Sequence, residues 1–493
     1  MRLLRFVALA TLIAPAAVAA AQTPAATRAR DTLTLEEAIA IARRNNPAHL
    51  QVANDRRAAD AQVRASDAAF LPAVTSSFST GYSQGGTQVF QGTQLGASSS
   101  YMTSDYNLGV RYDLNGASFL NRTAARATRE AVEADISWST ELLRAAVTQQ
   151  YLAVLQAQAR AAIQDTLVAT ARAQLELARA RTAVGAGTTL DIRRAEVALG
   201  QAEVAALTER NNVDIQKLQL IQQLGVEMPR DVQLVTTFPV QQPTFQVDSL
   251  LDLARRTNPN LEATRSREHA ANVNVRARRS AYTPTLSVQT GWGGQSFEYR
   301  NPEFLIGRAQ RDVEIQRASC MTEDSIRTGA GLAPRGCTGI VLTPSDVDAI
   351  RAQNNTFPFE FQRSPFGVSA TLSLPIFDRW NRELAIQQAV VQRDDARQAR
   401  RARELQTTSD VTQAYLNLVT AARRVTLQDQ VAARAREELS FAEERYRVGA
   451  STFLDVTTSR ATFEQAQVDR VNAVYEYHRA FAALENAVGR PLR

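Results

Sequence analysis

The chain has 493 residues, 44% hydrophobic but only 6% aromatic, with a formal net charge of +6. Its 56 basic residues, all arginine except Lys217, are interleaved with 50 acidic ones rather than gathered in runs, which argues against a nucleic-acid partner. Its three histidines (His49, His269, His478) share no ligand spacing and no G-x-S-x-G, P-loop or H-E-x-x-H signature is present, so no metal, no cofactor and no catalysis are expected.

Residues 1–21 read as a secretory signal peptide. Arg2 and Arg5 precede an apolar run, Phe6 to Val18, and small residues place the cut after Ala19 or Ala21. No later stretch reaches the ~18 consecutive apolar residues of a membrane helix. An exported chain without a helical anchor is expected.

A first unit, 22–232, opens with Thr34 and Glu37 in a capping-box pattern ahead of "LEEAIAIARRNNP". Asn46, before Pro47, disfavours continuing that helix, and a second helix follows to about Phe70. The period then changes from 3.6 to 2, weakly over Val74 to Tyr82 and clearly in "YNLGVRYDL". There Tyr106, Leu108, Val110, Tyr112 and Leu114 alternate with Asn107, Gly109, Arg111 and Asp113. A long helical stretch runs from about Asn121 to Ala183, roughly 95 Å if unbroken. Within it Val147, Val154, Ala161, Val168 and Leu175 recur at coiled-coil spacing. The turn "RTAVGAGTTLDI" follows, with Gly185 at a helix C-cap and Thr188 or Thr189 as N-cap of a return helix to Gly225.

A second unit, 233–493, repeats this order. Pro47 and Pro259 are 259 − 47 = 212 apart, whereas Tyr151 and Tyr415 are 415 − 151 = 264 apart, as are Gly185 and Gly449, Asp191 and Asp455, and Gly225 and Gly489. The second unit therefore holds a net insertion of 264 − 212 = 52 residues, placed at about 299–364 between its two strands, Leu286 to Trp292 and Phe366 to Leu374. The insertion carries Cys320 and Cys337, a disulfide in an exported chain, and is expected as a pinned outer loop. Its long helix spans about Arg382 to Arg447, and Ser451 or Thr452 caps the helix after it.

Four strands of membrane-crossing length cannot close a barrel alone, and an open edge in lipid costs several kcal/mol per unpaired backbone group. Chains must therefore share one barrel. Two would supply eight strands, a number that side chains fill, so three chains and twelve strands are expected. The fold class is mainly α with β: a membrane β-barrel shared between three chains, four strands each, with long helices standing in water that extend the pore.

The paired "LEEAIAIARRNNP" opening, the "YLAVL" and "YLNLV" helices and the "VGAGTTLDI" and "VGASTFLDV" turns resemble the TolC family of outer-membrane efflux proteins, over nearly the whole mature chain. The resemblance implies a homotrimer in the outer membrane with a periplasmic extension. It implies an exit duct for a tripartite efflux pump or type I secretion system, working with an inner-membrane transporter and a periplasmic adaptor (membrane fusion) protein. By motif, adaptor docking falls on Val184, Gly185, Thr189 and Leu190, with Val448, Gly449, Phe453 and Leu454. Asp191, Tyr446 and Asp455 match periplasmic gate positions, although the two Asp also suit helix caps. Ser451 stands where the family prototype has an Arg, which removes that prototype's ionic clasp. The rival reading is a soluble periplasmic coiled-coil adaptor or spacer. A metal-efflux duct is a narrower one, disfavoured by only four Met and three His.

Overall fold

The computed structural model describes residues 32–90, 93–97, 99–227, 232–235 and 238–492, so the expected signal peptide lies outside them. In chain order the elements are β1 (Thr32–Leu33), α1 (Leu35–Asn45), α2 (Pro47–Ala68), β2 (Ala73–Ser83), β3 (Thr87–Phe90), β4 (Thr93–Ala97), β5 (Tyr101–Asn115), α3 (Gly116–Ala183), α4 (Thr189–Leu224) and β6 (Gln233–Leu234). They continue as α5 (Val247–Thr257), α6 (Pro259–Arg279), β7 (Thr285–Tyr299), α7 (Glu303–Gly329), α8 (Pro344–Asn354), β8 (Gln362–Arg363), β9 (Gly367–Ser373), α9 (Asn381–Arg447) and α10 (Phe453–Val488). Two compact units result. One holds the residues up to Asn54, Asp135–Glu262 and those from Arg403; the other holds Asp55–Ala134 and Ala263–Ala402.

In the first unit, α1 forms because Thr34 and Glu37 exchange hydrogen bonds as a capping box, and it stops at Asn46, whose ψ of 119° suits a residue before proline. Its small buried face, Ala38 and Ala42, lets it lie close against Leu220 and Leu224 of α4 and Val147, Tyr151 and Val154 of α3. The seven-residue repeat thus marks the core face of α3. The Tyr151 hydroxyl donates to the Leu33 carbonyl at 2.8 Å, fastening β1, which pairs in parallel with β6. A second core gathers Leu250 and Ala254 of α5 with Val411 and Leu418 of α9 and Tyr477, Leu484 and Val488 of α10. There Tyr477 donates to the Gln241 carbonyl at 2.6 Å.

The repeated Asn-Pro ties the return helices down. Asn46 Nδ2 donates to the Gln223 carbonyl and Asn258 Nδ2 to the Ala487 carbonyl, both at 2.8 Å. Gly225 and Gly489 end those helices at φ 70° and 88°. A Cβ on Gly225 would stand 2.5 Å from the Asn45 carbonyl oxygen, so the close approach as well as the left-handed backbone requires glycine.

The second unit is built on an antiparallel sheet, ordered β2–β5–β7 with β8 and β9 both on the far edge of β7. All four expected strands are present. The register aligns Leu108 with Trp292, and Leu114 with Leu286, itself opposite Leu372. Val74, Phe78, Leu108, Trp292, Val368 and Leu372 are therefore on one face, and all are exposed, Leu372 by 70%. The other face carries Ser, Thr, Asn and Gly. Its charges are satisfied locally: Ser79 Oγ donates to Asp105 and Ser287 Oγ to Asp113, each at 2.6 Å, and Arg111 pairs with Asp113 at 2.8 Å.

Two features depart from the sequence expectation. A separate hairpin, β3 with β4, fills the connection between β2 and β5. The insertion is also not a plain loop, because α7 runs for 27 residues. Between Gly307 and Gly329 its sequence holds neither Pro nor Gly, so nothing interrupts helix formation. Cys320 lies in α7 and is bonded to Cys337. Asp324 adds a second fastening by accepting the backbone N–H groups of Arg335 and Gly336 at 2.7 and 3.1 Å. Among the described residues no helix is long and apolar enough to cross a membrane.

Candidate functional site

The two Val-Gly turns, α3 to α4 and α9 to α10, have nearly identical backbones. Gly185 and Gly449 both have φ 75°. Gly185 N–H donates to the Thr182 carbonyl and Gly449 N–H to that of Tyr446, each at 3.1 Å. Ala186 N–H reaches the Arg181 carbonyl and Ala450 N–H that of Arg445, each at 2.8 Å. This pair of bonds is a Schellman motif, which satisfies the last carbonyls of a helix and needs a residue tolerant of positive φ. The return helices start with Thr188 and Thr452 as N-caps, Asp191 and Asp455 closing the capping boxes. The two carboxylates accept the backbone N–H of those threonines at 3.0 and 2.8 Å, and their hydroxyls at 2.8 and 2.9 Å. These bonds hold the Asp455 carboxyl below its usual range.

The turns are apolar at their outermost points. Val184 and Val448 are 79% and 76% exposed, and Leu190, Leu454, Thr189, Gly185 and Gly449 are exposed beside them. No atom beyond the adjoining residues lies within 4 Å of where a Cβ on Gly185 or Gly449 would stand. Phe453, expected in this outward set, is instead 5% exposed and packs with Leu175, Ala178 and Ala195. Thr189, its counterpart 264 residues earlier, is exposed, so the aromatic ring in the second turn serves as a wedge between the hairpins.

Arg181 is the residue that sequence reasoning missed. From the last turn of α3 its Nη1 donates to the Tyr446 carbonyl at 2.8 Å, and its guanidinium carbon lies 4.3 Å from the centre of the Tyr446 ring. Its Nη2 reaches the Ala186 carbonyl at 3.4 Å. One side chain thus joins the ends of α3 and α9, where a cation also suits the negative ends of the helix dipoles. The Tyr446 ring meets Phe453 edge-on at 5.9 Å, and burial raises its phenol above the ordinary value. The matching Arg445 one repeat later gives no hint of this contact, because the partner is 265 residues away.

A related pairing recurs behind each turn with its charges exchanged. Arg179 and Glu196 are 3.7 Å apart in the first hairpin, and Glu443 and Arg460, each 264 residues on, pair at 2.6 Å in the second. Of the expected gate residues, Tyr446 is held by Arg181, and Asp191 and Asp455 close the capping boxes of the return helices. The Ser451 hydroxyl donates to the Ala442 carbonyl at 3.4 Å.

The family profile described as outer membrane efflux protein matches residues 38–226 and 347–490, more than half of the chain. The pyoverdine export outer membrane protein OpmQ of Pseudomonas putida is 25% identical over 479 residues, covering 92% of this chain and 85% of that protein. Among solved structures, a membrane protein from Pseudomonas aeruginosa superposes with a TM-score of 0.67 at 20% identity, covering 92% of this chain and 90% of that one. The outer membrane channel CmeC of Campylobacter jejuni superposes with a TM-score of 0.68 at 14% identity, over 92% and 85%.

Proposed function

The chain belongs to the outer membrane efflux protein family, and from that premise we propose that three copies close one barrel and pass substrates received from a periplasmic adaptor and an inner-membrane transporter. It is an outer-membrane exit channel for efflux, so the soluble-spacer reading falls. The observation that carries the trimer is the incomplete sheet. Among the described residues β2 and β9 are each paired on one edge only, and the apolar face beside those edges is exposed. In lipid such edges must be paired. Joining β2 of one copy to β9 of the next pairs both of these edges, turns Val74, Phe78 and Leu372 toward lipid and leaves Ser79, Asp105 and Asp113 lining water.

The turns then serve as the docking surface. Two per chain and three chains give six, each with an exposed Val beside a Gly that lets another backbone approach. Arg181 holds the two turns of one chain together, and releasing it frees α9 to move at the entrance. Cysteine pairing tests the barrel: Ser77→Cys in β2 is combined in turn with Ser369→Cys, Thr371→Cys and Ser373→Cys in β9. Oxidation yields covalent species of two and three chains for at least one pair. A chain that stays single in every combination contradicts the shared barrel.

A further inference from the structure

Arg160 of α3 and Arg479 of α10 stand near one another with neutral partners. Arg160 Nε and Nη2 donate to Asn472 Oδ1 at 2.8 and 2.6 Å, and Gln156 Nε2 donates to the same oxygen at 2.9 Å. Arg479 Nη2 donates to Gln156 Oε1 at 2.5 Å. Among the described residues neither guanidinium has a carboxylate within 4 Å, since the acid close by, Glu476, pairs with Arg424 at 2.7 Å. Both arginines are partly buried, and Arg479 lines a groove of about 790 Å³ together with Gln149, Gln150, Gln223 and the Arg424–Glu476 ion pair, whose charges offset each other and leave Arg479 as the excess cation. Burial first, and then the like charge of Arg160, pull Arg479 below the ordinary arginine value. Two cations sharing amide acceptors in a partly desolvated groove leave positive charge that an anion would neutralise.

The direction of the groove follows from helix phase. Arg160 is nine residues beyond Tyr151, about two and a half turns, and so lies on the opposite side of α3. Arg479, two residues past Tyr477, is likewise turned away from the core on α10. The Tyr151 and Tyr477 faces are covered by β1, α1 and α5. A tube carrying that layer inside would be filled, so in the proposed trimer the layer is outside and the groove faces the lumen.

We propose that Arg160 and Arg479 form an anion-recognition site on the wall of the passage, selecting substrates that carry multiple negative charges such as phosphates or clustered carboxylates. Its position in a lumen rests on the trimer reading; the site itself does not. Guanidinium forks match phosphate and carboxylate oxygens two at a time, and three copies would present six of them in one belt.

The test is calorimetric titration of inorganic tripolyphosphate into the purified full chain in mild detergent at low ionic strength. Wild type binds, and Arg160→Gln combined with Arg479→Gln weakens binding by at least about tenfold, the equivalent of one lost charged hydrogen bond. Asn472→Asp keeps the hydrogen-bonded oxygen but sets a carboxylate against Arg160, and it too weakens binding about tenfold without loss of fold. Wild type that does not bind, as would follow if a carboxylate of a neighbouring copy fills the site, overturns the proposal. So does binding unchanged in both variants. Native mass of the same samples separates the two ideas: binding by a single chain leaves the anion site standing and removes the trimer.

Discussion

Gly449 allows the docking surface to be probed separately from the fold. Its φ of 75° costs any other L-residue about 1–2 kcal/mol. Beyond its chain neighbours, nothing lies within 4 Å of its Cβ position, so the first side-chain atom of Ala or Trp meets no clash there. Gly489 is the contrast. Its φ is 88°, and a Cβ would stand 2.6 Å from Pro259 Cδ and 2.7 Å from Asn258 Cα, adding about 1–3 kcal/mol of overpacking. Hydrogen exchange over Thr452 to Val456 should therefore change alike in Gly449→Ala and Gly449→Trp, while Gly489→Ala loosens the root of α10 more strongly. Efflux of a fluorescent dye, in cells that also carry the adaptor and transporter, should survive Gly449→Ala and be abolished by Gly449→Trp, with both proteins still assembled. Equal efflux in the two variants refutes the reasoning, because the added indole would then meet no partner.

Phe453→Ala removes the wedge between the hairpins and should cost about 3–5 kcal/mol of local stability, read as faster proteolysis at both turns rather than at the second alone. Arg181→Ala should raise the open fraction of single channels roughly tenfold, the worth of one charge-assisted hydrogen bond, and Arg181→Lys should recover only part of the closure because a lone ammonium cannot make both contacts. The Asp455 carboxyl has a lowered folded value, so its contribution to the cap is fully present above the ordinary Asp range and is lost as pH falls through that lowered value. Thermal melts should show this acid-side loss in wild type and a smaller one in Asp455→Asn.

The strands were legible because period-2 alternation survives in a sheet with one apolar and one polar face, as in Tyr106 to Leu114. The turns were legible because the same constraint, a left-handed residue between a helix end and a threonine cap, is written twice. What the sequence hid is non-local. Tyr151 and Tyr477 perform the same fastening, yet the repeat offset pairs Tyr151 with Tyr415, so alignment of the halves points to the wrong residue. Phe453 was placed with the docking residues by the family motif, whereas the gap beside Ala178 and Ala195 that it fills exists only once the hairpins pack. Arg181 and Arg160 carry no sequence mark that separates them from the other arginines; only the absence or presence of a nearby acid does. In the insertion, flanking Pro and Gly drew attention away from the stretch between Gly307 and Gly329, which holds neither and forms most of α7.

The central claim is that three copies share one barrel. Its most direct test is the native mass, in mild detergent, of protein extracted from outer membranes. Three chains per particle, released only by detergent, is the result predicted here. A single chain or a pair, released without detergent, would mean that β2 and β9 never meet another copy in lipid.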